Sequence, residues 1–126
     1  MSLLLRRHFL SAAQHSTRTR HLSAMNCSFL VLVDDHTDAG ALARRQETRA
    51  AHLAGAASLK AQGTLVSAGA LLDSHESGGR MVGSTLVINA ASPDDVMALL
   101  RNDPYVAARV WNLDSARILP FRPASF

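Results

Sequence analysis

Ser84-Thr85-Leu86-Val87-Ile88-Asn89, then Ser92-Pro93-Asp94-Asp95 and Asn102-Asp103-Pro104, set the architecture of this chain. The first segment carries Thr, Val and Ile, which favour a pleated, half-buried strand. Ser92 then supplies an N-cap oxygen, Pro93 suits the first helical position, and Asp94 and Asp95 complement the helix dipole. Asn102-Asp103-Pro104 ends that helix, because the residue before a proline disfavours the helical region. Downstream, Trp111 to Phe121 holds one more strand, closed by Pro120 and Pro123.

Upstream, Ser28-Phe29-Leu30-Val31-Leu32-Val33 is a short apolar, β-branched run that stops at Asp34-Asp35-His36, as a buried strand entering a polar loop does. Ala41 to Gln62 predicts a helix with Asp38 near its start and Gly63 as its stop. Thr64 to Ala70 predicts a second strand, and the polar segment Asp73 to Gly83 a loop. The order βαββαβ is the ferredoxin-like, split-βαβ arrangement, an α+β fold with one antiparallel sheet and its helices on one face. The other sheet face then needs cover, which a second copy related by a two-fold axis supplies, so a homodimer is expected.

The 126 residues, 48% hydrophobic and 18% charged, fit one core. The net charge of +3 and pI near 10.0 invite a nucleic-acid partner. Residues 1–24, however, contain Arg6, Arg7, Arg18 and Arg20 and no acidic residue; without them nine Lys and Arg face ten Asp and Glu. No basic stripe with interleaved aromatics remains, which argues against nucleic acid.

That Arg-rich, acid-free leader reads as a mitochondrial presequence, with Arg20-His21-Leu22-Ser23 resembling a matrix-processing site and residues 25–126 forming the domain. The expected location is the mitochondrial matrix; an internal start at Met25 would instead leave the protein cytoplasmic. The leader's apolar run is too short and broken to span a bilayer, so no membrane partner is expected. His8, His15 and His21 belong to the leader and not to a site. The single cysteine, Cys27, excludes an internal disulfide and a cysteine-based zinc motif, and reads as a small core or strand-edge residue.

Within the first helix, Arg49-Ala50-Ala51-His52-Leu53 stands out. At about 100° per residue, Leu42, Arg49, His52, Leu53, Ala56 and Leu59 fall within an arc of about 120°. His52 and Arg49 are thus expected on the sheet-facing stripe, where an arginine must border a cleft or meet a carboxylate.

The motifs RAAHL (49–53), GTLVSAGALL (63–72), GSTLVI (83–88), NDPYVAARVW (102–111) and ILPF (118–121) resemble, in order and spacing, the YciI-like (YCII-related) family over most of residues 26–121. The resemblance implies a dimeric α/β barrel built from two ferredoxin-like subunits, similar in architecture to muconolactone isomerases. One branch of that family is a dehydrochlorinase of chlorinated hydroxyquinones that uses a His/Asp pair. Position by position, the pair falls on His52 and Asp103, while Arg49 and Ser84 match pocket-facing positions. Tyr105 and Trp111 line a pocket or a dimer interface, core packing being the default for Trp111. Gly69 and Gly83 read as backbone requirements, for positive φ or close approach. The chain departs from many relatives at Ala70, where a proline often follows AG, and in the loop His75-Glu76-Ser77-Gly78-Gly79.

A carboxylate on one imidazole nitrogen fixes the tautomer and stabilises the imidazolium, leaving the other nitrogen to move a proton. With Arg49 or the Ser84 hydroxyl holding an oxyanion, such a site abstracts a proton beside a carbonyl and assists elimination or isomerisation, without metal or organic cofactor. His36, His52 and His75 could be combined into a metal site only across separate loops, with no short ligand spacing. The expected function is therefore a cofactor-independent lyase or isomerase of a small quinone, enol or lactone-like molecule. The alternatives are a non-catalytic small-ligand-binding or accessory homodimer and, more weakly, a domain that packs on a larger mitochondrial partner. In those readings His52 is a packing residue, Asp103 a turn residue before proline, and Arg49 the partner of a structural carboxylate.

Overall fold

The structure, a computed structural model, describes residues 27–126; the leader expected at 1–24 lies outside the described residues. The elements are β1 (Ser28–Asp34), α1 (Ala41–Ala61), β2 (Leu65–Leu72), β3 (Met81–Asn89), α2 (Pro93–Arg101), the short α3 (Pro104–Ala107), a 3-10 turn (Leu113–Ser115) and β4 (Arg117–Phe121). The sheet order is β2-β3-β1-β4, antiparallel throughout, with the helices on one side. The α+β, βαββαβ architecture read from the sequence is the one observed. β2 runs two residues past Ala70, and β3 begins at Met81, inside the segment expected to be a loop. α3 follows Asp103-Pro104, where a turn was expected.

Strand alternation builds the core. In β1 Phe29, Val31 and Val33 are buried while Leu30 and Leu32 between them are only partly covered. Their register partners in β3, Ile88, Leu86 and Ser84, are buried on the same face. Val96 and Leu100 from α2, Tyr105 from α3, and Val110 and Trp111 beyond it close the core over that face. The opposite face presents Leu30, Leu32, Val87 and Leu119, each part-exposed.

The helix ends follow local chemistry. Ser92 accepts from the Asp95 N–H at 3.2 Å, the expected cap of α2. α1 has no side-chain cap at Gly40; Asp38 instead chelates Arg44 through both carboxylate oxygens at 2.6 and 2.7 Å. Gly63 takes φ +79° beyond the end of α1, and its N–H and that of Thr64 satisfy the carbonyls of Lys60 and Leu59. Gly83 matches its expected close approach, since a Cβ there would lie 2.6 Å from the Val33 carbonyl oxygen. Gly69 does not: its φ is not positive and nothing lies within 4 Å of the position of a Cβ. Cys27 is exposed just ahead of β1, at the strand edge and not in the core.

Candidate active site

α1 turns one face toward the sheet, and among its residues Ala41, Arg45 and His52 are the buried ones. His52 lies two helical turns beyond Arg45, so the two side chains emerge in nearly the same direction. Arg49 and Leu53, expected on this stripe, are exposed instead, at the rim of the cleft that His52 lines. The reason is rotational: packing centres the stripe on Arg45 and His52, and Arg49 falls about 50° to one side.

His52 meets Asp103 across the fold. Its Nδ1 lies 2.9 Å from both Oδ1 and Oδ2 of Asp103. Asp103 is the N-cap of α3, and the same Oδ1 accepts the Tyr105 N–H at 2.8 Å. One carboxylate therefore caps α3, where a turn was expected, and also meets the imidazole. α3 places Tyr105 one residue past Pro104, and its ring stacks on the imidazole with centroids 4.0 Å apart and planes inclined by 14°. Trp111 contacts both rings edge-on, at 5.3 and 5.4 Å. Burial pushes the Tyr105 phenol above its ordinary 10.0, so it stays un-ionised at neutral pH and is not a base.

Behind the dyad lies a buried polar network that the sequence reading missed. Arg45, 3% exposed, donates from Nη1 to both oxygens of Asp35 at 2.8 and 3.0 Å and from Nη2 to Ser84 Oγ at 2.9 Å. Its guanidinium carbon sits 4.9 Å from the centroid of the Tyr105 ring. Trp111 Nε1 also donates to Ser84 Oγ, at 3.0 Å. Asp35 and Trp111 are brought together by a β-bridge, flanked by bonds from the His36 N–H to the Val110 carbonyl and from the Asn112 N–H to the Asp34 carbonyl. Burial holds the Asp35 carboxyl above its usual 3.8, outweighing the pull of Arg45. The signal for Arg45 was its seven-residue spacing from His52, closer to the helix face of His52 than Arg49 is; Asp35 carried no local signal.

The cleft between α1 and the β2–β3 hairpin has a volume of about 200 Å³. Arg49 and His52 of α1 and Tyr105 of α3 line it together with Ser84 of β3 and Ala68 and Ala70 of β2. Every site residue named from the sequence thus borders it except Asp103, which stands behind His52. A hollow of about 290 Å³ around the β1–α1 loop holds none of these five residues. Among the described residues no group of three His, Cys, Asp or Glu side chains is arranged to hold a metal ion, and no helix is long and apolar enough to cross a membrane.

The geometry is that of an oriented imidazole beside a cation and a hydroxyl. The chain is 33% identical over 97 residues to the Aspercryptin biosynthesis cluster protein B of Emericella nidulans, covering 74% of this chain and 61% of that protein. It is 30% identical over 97 residues to the Fusaric acid biosynthesis protein 2 of Gibberella fujikuroi, covering 75% of this chain and 91% of the relative. In structure it is similar to the 5-chloro-2-hydroxyhydroquinone dehydrochlorinase of Burkholderia phenoliruptrix in complex with 2,5-dihydroxybenzoquinone. The TM-score is 0.64 at 28% identity, over 77% of this chain and 95% of that one. The profile of the YCII-related domain matches residues 28–122, and the chain belongs to that family.

Proposed function

We propose that the protein is a cofactor-independent lyase or isomerase of a small hydroxyquinone, enol or lactone-like molecule, with His52 as general base and acid. The observation that carries this reading is the imidazole whose Nδ1 is held by both oxygens of Asp103, at the wall of a cleft that also receives Arg49 and Ser84. With Nδ1 engaged, Nε2 is the nitrogen left for proton transfer. It takes a proton from a carbon beside a carbonyl, and the C–H electron pair forms the new C=C bond as the carbonyl pair moves onto oxygen, giving an enolate. Arg49 and the Ser84 hydroxyl hold that oxyanion. Collapse of the enolate either expels a leaving group as an anion or takes the proton back from the imidazolium at another carbon. The similarity to a dehydrochlorinase in complex with 2,5-dihydroxybenzoquinone supports a small hydroxyquinone-like substrate.

The test is turnover of a panel of chlorinated hydroxyquinols, enols and small lactones by the wild type and His52→Ala. A loss of about 10²- to 10⁴-fold in rate is expected for the variant. A ligand that binds both proteins equally, with no turnover by either, would overturn the enzymatic reading in favour of a binding homodimer.

A further inference from the structure

A serine hydroxyl has one proton to donate and two lone pairs to accept with. At Ser84 both lone pairs are occupied, one by Arg45 Nη2 at 2.9 Å and one by Trp111 Nε1 at 3.0 Å. The proton is left for the third tetrahedral direction, and among the described residues it has no acceptor. Ser84 is only 4% exposed, yet it borders the cleft lined by His52. We propose that Ser84 is an obligate hydrogen-bond donor to an anionic oxygen of the ligand, with Arg45 and Trp111 as the positioning residues that deny it any other role. The inference rests on the reading of the cleft given under Proposed function.

Two further observations favour a functional origin for this arrangement. First, a buried Arg–Asp pair contributes little net stability, and apolar residues of similar volume commonly replace such a pair at no loss. Arg45 is held in the core even though its Nε has no partner among the described residues, a poor solution for stability alone. Second, a hydroxyl that accepts from a guanidinium is polarised, so its outgoing hydrogen bond is strengthened. A neutral hydroxyl fixed in this way stabilises an oxyanion without placing another full charge in a cleft that already holds Arg45 and Arg49.

The experiment has two arms on the full chain. Neutron diffraction of the deuterated protein locates the hydrogen on Ser84 Oγ: it is expected to point into the cleft, and a hydrogen directed at the Asp35 carboxylate or a backbone carbonyl overturns the proposal. In the second arm 2,5-dihydroxybenzoquinone is the probe, its binding followed by visible absorbance. Ser84→Ala should weaken it about tenfold. Trp111→Phe, which keeps an aromatic ring and removes the N–H, and Arg45→Lys, which keeps the charge, should each weaken binding several-fold in the wild type and not further in Ser84→Ala. Equal losses in both backgrounds would show that these residues act structurally and overturn the assignment. If the wild type fails to bind the probe, the hydroxyquinone reading of the cleft falls, while the neutron map still decides the donor.

Discussion

Asp103 performs two tasks that a single substitution can separate. Its Oδ1 caps α3 through the Tyr105 N–H, and both oxygens hold His52. Asparagine caps a helix about as well as aspartate but brings no negative charge to the imidazole. Asp103→Asn is therefore expected to keep the melting temperature within a few degrees while turnover falls by about 10² or more, measured side by side. A large loss of stability with no loss of rate would return Asp103 to the status of a turn residue. Asp35 offers a pH-dependent counterpart. Burial raises its carboxyl above 3.8, so the folded state binds its proton more tightly than the unfolded chain. The contribution of this group to stability is then largest near and below pH 3.8, declines as pH rises through the folded pKa, and is flat above it. The melting-temperature difference between wild type and Asp35→Asn should shrink or turn against the wild type on going from acid toward neutral pH; a difference that grows in its favour would contradict this.

At the level of elements, the β1–β3 ladder is what carries Ser84 to Arg45. Gly83 permits the two strands to approach, since a Cβ there would meet the Val33 carbonyl oxygen at 2.6 Å, well inside contact. That oxygen is backbone, and it cannot swing aside as a side chain does. Gly83→Ala should cost about 1–3 kcal/mol in urea unfolding, by forcing the strands apart next to the site. An unchanged midpoint would mean that the ladder yields without cost. α3 is equally instructive. It is only four residues long, yet its cap and its second residue supply Asp103 and Tyr105 to the same imidazole.

On the scale of the whole molecule, the helix-free face of the sheet stands out. Leu30, Leu32, Val87 and Leu119 lie together there, part-exposed, where most soluble sheets present polar side chains. We expect two 13.5 kDa chains to pair through this face in solution, giving a dimer in sedimentation at micromolar concentration. Val87→Lys, at the centre of the face and away from the cleft wall, should yield a folded monomer. A wild type that sediments as a monomer would sink the pairing and leave the subunit fold intact.

The elements and their order were legible in the chain because the forces that set them are local: the apolar, β-branched runs in Ser28–Val33 and Ser84–Asn89, the Ser92-Pro93 start of α2, and Gly63 after α1. His52 and Asp103 were legible too, since they carry their motifs with them. Which arginine is buried was settled only by packing. Arg45 and Arg49 lie one turn apart on one helix, and the rotation of α1 against the sheet, with Ala41 and His52 turned inward, sends the first into the core and the second to the rim. Asp35 and Trp111 became partners of that arginine and of Ser84 only through a bridge between the end of β1 and the segment after α3. Neither end of such a non-local pairing contains the other, so the buried half of the site is written in the fold and not in any stretch of chain.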